Sequence, residues 1–315
     1  MYGGGGYNGT ILSSPGTIRL QPTDLPIPLG RGYATFGSNS GHDGAADDGS
    51  FAVNDEALRN YAYEALKKTR DLAGFLIVAR YGRPASKIYF HGSSNGGKEA
   101  LGLIQKYPAD LDGAIIFWPA ALFTRLTLQH ARASRALLEP GAYPGIPQRK
   151  ALLTAGVATC DNIDGAPDGV VSNSRQCQAV FDPATATLDG KPLRCPNGQT
   201  DACLTDQQIN AFKTMETPIT FGFALGGQYP GFNVWGTDLG ASTSDELSRG
   251  ITAQGLGTVP PSLPAKPGMP FMHVFSDQFI KYFITRDLQA DWRSLDPEHP
   301  GAGRQGSWNF PDCSI

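Results

Sequence analysis

Residues 87–101 have the sequence KIYFHGSSNGGKEAL, and this stretch decides the fold. The apolar segment Lys87–His91 predicts a short strand, and a helical pattern follows from about Gly96 to Lys106. Between the two lies a turn in which glycine stands on both sides of a serine. Glycine tolerates the strained backbone and close packing of such a turn. The stretch therefore predicts a strand, a sharp turn and a helix, with Ser94 at the tip.

The neighbouring segments predict the rest of an α/β layer. Apolar residues recur at helical spacing from Asn54 to about Tyr81, with Asn54 as N-cap and Gly82 as C-cap. The run GAIIFWPA, residues 113–120, is too short for a helix and predicts the next buried strand. Helix, strand, helix, strand is typical of a parallel sheet with helices on its faces.

The pattern changes after residue 120. Helical sequence continues to about Thr159, and residues 160–270 hold most of the prolines and four of the five cysteines, with little periodicity. A last helix is predicted over residues 276–288. We therefore divide the chain into a partial α/β core, residues 1–120, and a loop-rich lid domain, residues 121–315. The simplest pairing of the clustered cysteines is Cys160 with Cys177 and Cys195 with Cys203, which leaves Cys313 over.

Composition excludes several classes of partner. The 315 residues carry a formal charge of −3 and no run of Lys or Arg, so neither nucleic acid nor an anionic membrane surface is indicated. No apolar run approaches the length of a membrane helix. Disulfides predict an oxidising compartment, secreted or periplasmic, yet no signal peptide is visible. This conflict predicts that the chain lacks its natural beginning.

The serine turn matches the G-x-S-x-G pattern of a nucleophile elbow. Only Ser94, not Ser93, has glycine two residues before and two residues after it. The backbone amide of Asn95 would lie at the helix N-terminus, where it can stabilise an oxyanion. A second donor is expected from the early glycine run, with Gly5 as the candidate. The alternatives are an ordinary strand–helix turn and a flexible glycine-rich terminus.

The segment CDNIDGAPDGVV, residues 160–171, combines carboxylates with glycines that allow the chain to turn tightly. Asp161, Asp164 and Asp168 are hard oxygen ligands that suit Ca²⁺, and the carbonyls of Ala166 and Val170 could complete the shell. The spacing is not that of an EF-hand. The alternative is a solvated Asp/Gly turn.

Taken together, these motifs resemble the tannase/feruloyl esterase family of α/β-hydrolases with a large lid. The likeness covers nearly the whole chain. It rests on YGGGGYNG (2–9), GYATFGSNSGHDG (32–44), the elbow with the following strand (91–120), the acidic loop and the two cysteine spacings. The resemblance implies an incomplete α/β-hydrolase-type parallel sheet with a disulfide- and calcium-stabilised lid.

The resemblance also implies a function, a serine esterase acting on phenolic or aromatic acid esters through an acyl-enzyme at Ser94. Asn95 and Gly5 would form the oxyanion hole, and the acidic loop would bind structural Ca²⁺. The aromatic residues Phe279, Tyr282 and Phe283 lie where the family grips the aromatic acid. Their i, i+3, i+4 spacing equally suits a helix packed into a core.

Two departures from the family pattern matter. Ser93 stands where the family usually has a cysteine that bridges to the neighbourhood of the catalytic histidine. None of the histidines (His42, His91, His130, His273 and His299) has the position expected for the triad base, and the triad acid is not found either. We therefore expect a chain that begins after the first strands of the sheet and ends before the last ones. The alternative function is a catalytically incomplete or non-catalytic, calcium-stabilised binding protein.

Overall fold

The computed structural model describes residues 1–12, 24–196, 203–221, 227–240, 255–266 and 268–298. These residues form two compact units. Among them, the first contains Met1–Leu126 and Gln278–Ala290, and the second contains Thr127–Asp277 and residues 291–298. The sequence-based division placed all of 121–315 in the lid. The structure instead groups residues 121–126 and Gln278–Ala290 with the first unit, because aromatic side chains of both segments pack there.

The described helices and strands follow the predicted order up to Cys160, with boundaries that differ by a few residues, whereas the short elements between Ser174 and Tyr229 were not predicted. They are α1 (Asp55–Arg59), α2 (Ala65–Tyr81), β1 (Tyr89–Ser93), α3 (Asn95–Lys106), β2 (Gly113–Phe117), α4 (Phe123–Leu138), α5 (Ile146–Cys160), α6 (Ser174–Val180), β3 (Thr187–Leu188), β4 (Lys191–Pro192), α7 (Asp206–Glu216), β5 (Ile219–Phe221), β6 (Gly227–Tyr229) and α8 (Phe271–Gln278). A π-helical turn, Asn60–Glu64, joins α1 to α2, and another, Phe279–Thr285, extends α8.

A partial parallel sheet forms the centre of the first unit. β1 and β2 pair in parallel, with Tyr89 opposite Gly113 and Ser93 opposite Phe117, and α3 connects them. Tyr2 adds parallel bridges to His91 on one side and Gly37 on the other. Phe90, Leu103 and other apolar residues of β1, α2 and α3 form a core beneath the sheet. The β1–α3–β2 connection confirms the predicted α/β pattern.

Helices α1 and α2 confirm the predicted capping. The Asn54 side chain accepts hydrogen bonds from the backbone amides of Glu56 and Ala57, and Gly82 ends α2 in the left-handed conformation. Burial along α2 is uneven, however. Its first residues are buried, whereas Leu72 and Leu76 are 59% and 54% exposed. The helical spacing therefore predicts the helix correctly, but not the extent to which the rest of the fold covers it.

The second unit is helical and loop-rich, with its own core. Apolar side chains of α4, α5 and α7 pack together with residues of the connecting loops, among them Leu137, Leu152, Phe212 and Trp235. Both predicted disulfides are present, Cys160–Cys177 and Cys195–Cys203. Cys313 lies outside the described residues. None of the helices within the described ranges is long and apolar enough to cross a membrane.

His130 of α4 is expected to make the second unit sensitive to acid. Its ring stacks on Phe232, with the centroids 5.5 Å apart, and burial lowers its pKa from 6.5 to about 4. Because the unfolded chain binds this proton more readily than the folded chain, stability is complete above pH 6.5 and is lost as the pH falls toward 4. Between pH 6.5 and pH 5 we expect a loss of about 2 kcal/mol from this residue.

The test compares urea unfolding of the wild type and His130→Gln, which does not titrate, across this pH range. Carboxylates contribute equally to both proteins, so the difference between the two curves isolates His130. Parallel curves for the two proteins would contradict the assignment.

Candidate active site

Ser94 lies on a strained turn between β1 and α3. Its backbone has φ 56° and ψ −119°, a conformation that L-residues rarely adopt and that commonly marks functional sites. Its amide donates to the carbonyl of Phe117 at 3.1 Å, and its carbonyl accepts from the amides of Ala120 at 3.0 Å and Lys98 at 3.1 Å. The side chain is exposed. The strand, the turn and the helix thus hold the serine rigidly and leave its hydroxyl accessible.

The glycines around Ser94 are required by close backbone packing. A Cβ on Gly92 would lie 2.3 Å from the carbonyl oxygen of Gly96, and a Cβ on Gly96 would lie 2.7 Å from the carbonyl carbon of Gly3. Such separations are sterically impossible without movement of the backbone. The glycine loop at the start of the chain is therefore seated directly on the first turn of α3.

The glycine loop is ordered by hydrogen bonds to the elbow. Gly3 donates its amide to the carbonyl of His91 at 3.0 Å, and Gly4 donates to Oε2 of Glu99 at 3.0 Å. The next residue, Gly5, is exposed, and a Cβ there would meet nothing within 4 Å. The loop therefore packs as an ordered element beside the elbow, with Gly5 facing open space. Its role and that of Asn95 as oxyanion donors remain predictions.

A buried polar network lies under the elbow. Glu99 of α3 is 5% exposed and accepts hydrogen bonds from Gly4, from Ser40 Oγ at 2.6 Å and from Asn95 Nδ2 at 3.2 Å. Tyr61 donates its hydroxyl to Asn95 Oδ1 at 2.9 Å. Burial raises the pKa of Glu99, an effect opposed by these hydrogen bonds and by the charge of Lys98. Sequence reasoning missed this network, although an acidic residue on the apolar face of α3 was a usable signal.

Two of the predicted substrate-binding aromatic residues are core residues of the first unit. Phe279 and Phe283 are 0% and 1% exposed, and their rings contact each other at 5.2 Å between centroids. Other rings complete this aromatic cluster, namely Tyr7, Phe51, Tyr61 and Phe123. Their burial agrees with the core interpretation of the spacing. Tyr282 is half-buried, and its part in binding remains a prediction.

Among the described residues, the structure records no hydrogen bond between Ser94 and a histidine. His42 stacks on Phe51 with centroids 3.5 Å apart, and His91 lies in β1 between the rings of Tyr2 and Phe117. His273 is buried within the second unit, and His130 is half-buried there beside Phe232. His299 lies outside the described residues. In the described part of the chain, Ser94 therefore lies on an ordered turn, and no general base is identified for it.

The acidic loop forms a set of local turns. Asp161 accepts from the amide of Gly169, Asp168 from Val170, and Asp164 from both Ala166 and Ser172, at 2.8–3.1 Å. These hydrogen bonds lower the pKa of Asp164. The donor chemistry suits Ca²⁺, but within the described ranges no three carboxylate, His or Cys groups converge as a metal cluster. Ion binding would therefore have to draw these carboxylates together.

Comparison with known proteins shows which family this chain resembles. The model of the family described as tannase and feruloyl esterase matches residues 1–304. An uncharacterised esterase of Agrobacterium fabrum is 35% identical over 96% of this chain and 53% of its own length. A mono(2-hydroxyethyl) terephthalate hydrolase of Piscinibacter sakaiensis is 33% identical over 77% of this chain and 43% of its own length.

Solved structures show the same fold. The crystal structure of feruloyl esterase B from Aspergillus oryzae superposes with a TM-score of 0.70 at 24% identity, covering 94% of this chain and 52% of that one. The chain thus spans about half the length of the relatives it matches. On the extent of the family match and the identity to its relatives, the chain belongs to the tannase and feruloyl esterase family.

Proposed function

We propose that this chain carries the nucleophile of a serine esterase that hydrolyses esters of aromatic acids. The observation that carries the proposal is the strained, exposed Ser94 at the N-terminus of α3, with the glycine loop packed against it. An ordinary strand–helix turn needs neither the strain nor the glycine contacts. The names of the relatives, which specify feruloyl and terephthalate esters, support the substrate class.

In the proposed reaction, Oγ of Ser94 attacks the ester carbonyl carbon while its proton passes to a general base. The carbonyl oxygen becomes an oxyanion, which the amides of Asn95 and Gly5 stabilise. Collapse of this intermediate breaks the bond to the alcohol, which leaves with the proton, and an acyl-enzyme remains. Water then releases the aromatic acid and restores Ser94. No general base is identified among the described residues. The rate of acyl-enzyme formation therefore depends on which group takes the proton from Ser94.

A substrate panel with intact-protein mass spectrometry tests this function. Methyl ferulate, methyl gallate and mono(2-hydroxyethyl) terephthalate should be hydrolysed faster than aliphatic esters of equal size. An acyl adduct on Ser94 should also be trapped at early times. Equal rates for aromatic and aliphatic esters would contradict the substrate class, and absence of any adduct would contradict the mechanism.

A second candidate function is a non-catalytic binding protein for the same ligands. The lack of an identified base among the described residues favours it. This alternative predicts that ferulate or gallate binds, measured by calorimetry, while a fluorophosphonate does not label Ser94. Labelling of Ser94 would exclude it.

We also infer that the acidic loop binds Ca²⁺ through Asp161, Asp164, Asp168 and the carbonyls of Ala166 and Val170. The oxygen donor set supports this inference. So does the Cys160–Cys177 disulfide, which closes the segment that contains the loop. The two disulfides further support an oxidising compartment, secreted or periplasmic, for this protein.

Removal of Ca²⁺ is expected to lower the melting temperature of the second unit. An ion that binds only the folded state stabilises it by mass action, about 3 kcal/mol at a concentration 100-fold above Kd. Differential scanning calorimetry with EGTA, then with excess Ca²⁺, measures the effect. Asp164→Asn should abolish the response, and Asp189→Asn, in the β3–β4 turn, serves as the control. A melting temperature that EGTA leaves unchanged would contradict the site.

A further inference from the structure

Glu99 occupies a position where a carboxylate is costly. It lies on α3, one helical turn after Asn95, and its side chain is buried. A buried carboxylate is tolerated only where hydrogen bonds replace its lost hydration. Here the replacement comes from three different segments of the chain, which are otherwise far apart in sequence.

The two oxygens of Glu99 divide these donors between them. Oε2 accepts the amide of Gly4, 95 residues earlier in the chain, and Oε1 accepts the Ser40 hydroxyl and the Asn95 side-chain amide. Asn8 in turn donates Nδ2 to Ser40 Oγ at 2.9 Å and to the carbonyl of Ser38 at 2.7 Å. One carboxylate therefore connects the elbow helix, the glycine loop and the segment around Ser40.

This carboxylate holds the residue before one proposed oxyanion donor, Gly5, and the side chain of the other, Asn95. The Gly4 amide belongs to the Gly3–Gly4 peptide, which Glu99 holds, and the Gly5 carbonyl, in the Gly5–Gly6 peptide, is held by the amide of Asn8 at 2.9 Å. The peptide that carries the Gly5 amide lies between these two. Asn95, whose amide is the other donor, is held through its side chain by Glu99 and Tyr61. The Gly5 amide is thus constrained by the peptides on both sides of it, and Asn95 is constrained through its own side chain. Gly4 and Asn95 bond to Glu99 directly, and Asn8 is linked to it through Ser40.

We propose that Glu99 is a positioning residue that sets the distance and orientation between the two halves of the oxyanion hole. It acts through Gly4 and Asn95 and does not itself touch the substrate. The proposal rests on the esterase function proposed above. Preorganised donors are effective because they need no rearrangement when the oxyanion forms, so a loop that is only loosely held should bind substrate but react slowly.

Amide exchange in the wild-type protein, measured by NMR, is the first test. The Gly4 amide should exchange at least about tenfold more slowly than the amide of Gly5, because the former is bonded to a buried carboxylate. This measurement needs neither activity nor a variant. Equal exchange at the two positions would overturn the proposal.

The second test uses Glu99→Gln, with Glu56→Gln as the matched control on the exposed surface of α1. The glutamine amide turns one acceptor into a donor, so at least one of the three donors loses its partner. We expect faster exchange at Gly4 and fluorophosphonate labelling of Ser94 slowed about 10–100-fold. On a hydrolysable ester, kcat should fall while KM stays the same. Unchanged labelling and exchange with only a lower melting temperature would reduce Glu99 to a structural residue.

The two proposals fail in different ways. If the wild type neither labels nor hydrolyses esters, the esterase function is wrong, while the exchange of Gly4 still decides whether Glu99 holds the loop. If the wild type labels normally and Glu99→Gln labels equally fast, the esterase function stands and the positioning role is overturned.

Discussion

Replacing Ser94 with alanine is expected to reduce aromatic ester hydrolysis at least about 10⁴-fold, because no acyl-enzyme can then form. Fluorophosphonate labelling should disappear at the same time. The fold should survive, because alanine fills the same space as serine apart from the hydroxyl. The backbone strain at φ 56° should stay the same, since both residues carry a Cβ. The structure records backbone hydrogen bonds at this residue, which the substitution leaves in place.

Ser93→Ala is the matched control for this experiment. Ser93 is the last residue of β1 and differs from Ser94 by a single position in the same dipeptide. It has ordinary strand backbone and is half-buried, so its loss should leave labelling and hydrolysis near the wild-type level. Loss of labelling in Ser93→Ala with retention in Ser94→Ala would reverse the assignment of the nucleophile.

The second large effect is expected from Gly96→Ala. The new methyl group would lie 2.7 Å, 2.9 Å and 3.0 Å from the backbone carbon, oxygen and Cα of Gly3. Backbone atoms cannot move aside as a side chain does, so the glycine loop must separate from α3. Overpacking of this kind typically costs about 1–3 kcal/mol. We expect a destabilisation at the upper end of that range, together with slower labelling of Ser94.

Gly74→Ala provides a control within the same unit. Gly74 also lies in a helix, α2, but a Cβ there would meet nothing within 4 Å. Alanine should therefore stabilise the helix by about 0.5–1 kcal/mol through its better helix propensity. Urea unfolding of both variants gives the two free energies. A destabilisation of the same size in both would mean that the Gly3–Gly96 contact is not tight.

Features that depend on a few consecutive residues were predictable from the sequence. The capping of α1 by Asn54, the end of α2 at Gly82 and the strand–turn–helix around Ser94 all follow from dihedral preferences and hydrogen bonds within about one helical turn. The two disulfides were predictable for a similar reason, since short loops bring their cysteines together.

Features that depend on distant segments needed the tertiary structure. Glu99 meets Gly4 across 95 residues, and its position on the apolar face of α3 indicates burial but not which distant segment supplies its hydrogen-bond partners. The spacing of Phe279 and Phe283 suited either a binding surface or a core, and only packing against other aromatic rings decided for burial. Leu72 and Leu76 continue the apolar pattern of α2 yet remain exposed.

The sequence by itself determined the local elements around Ser94, including the strand, the turn and the helix. Only the tertiary structure decided the contacts between distant segments: that of Gly3 with Gly96, the buried network of Glu99 and the aromatic core. The physical reason is the range of the interactions. Backbone preferences act between neighbours and are written in short patterns, whereas burial and long-range hydrogen bonds depend on which segments the whole fold brings together.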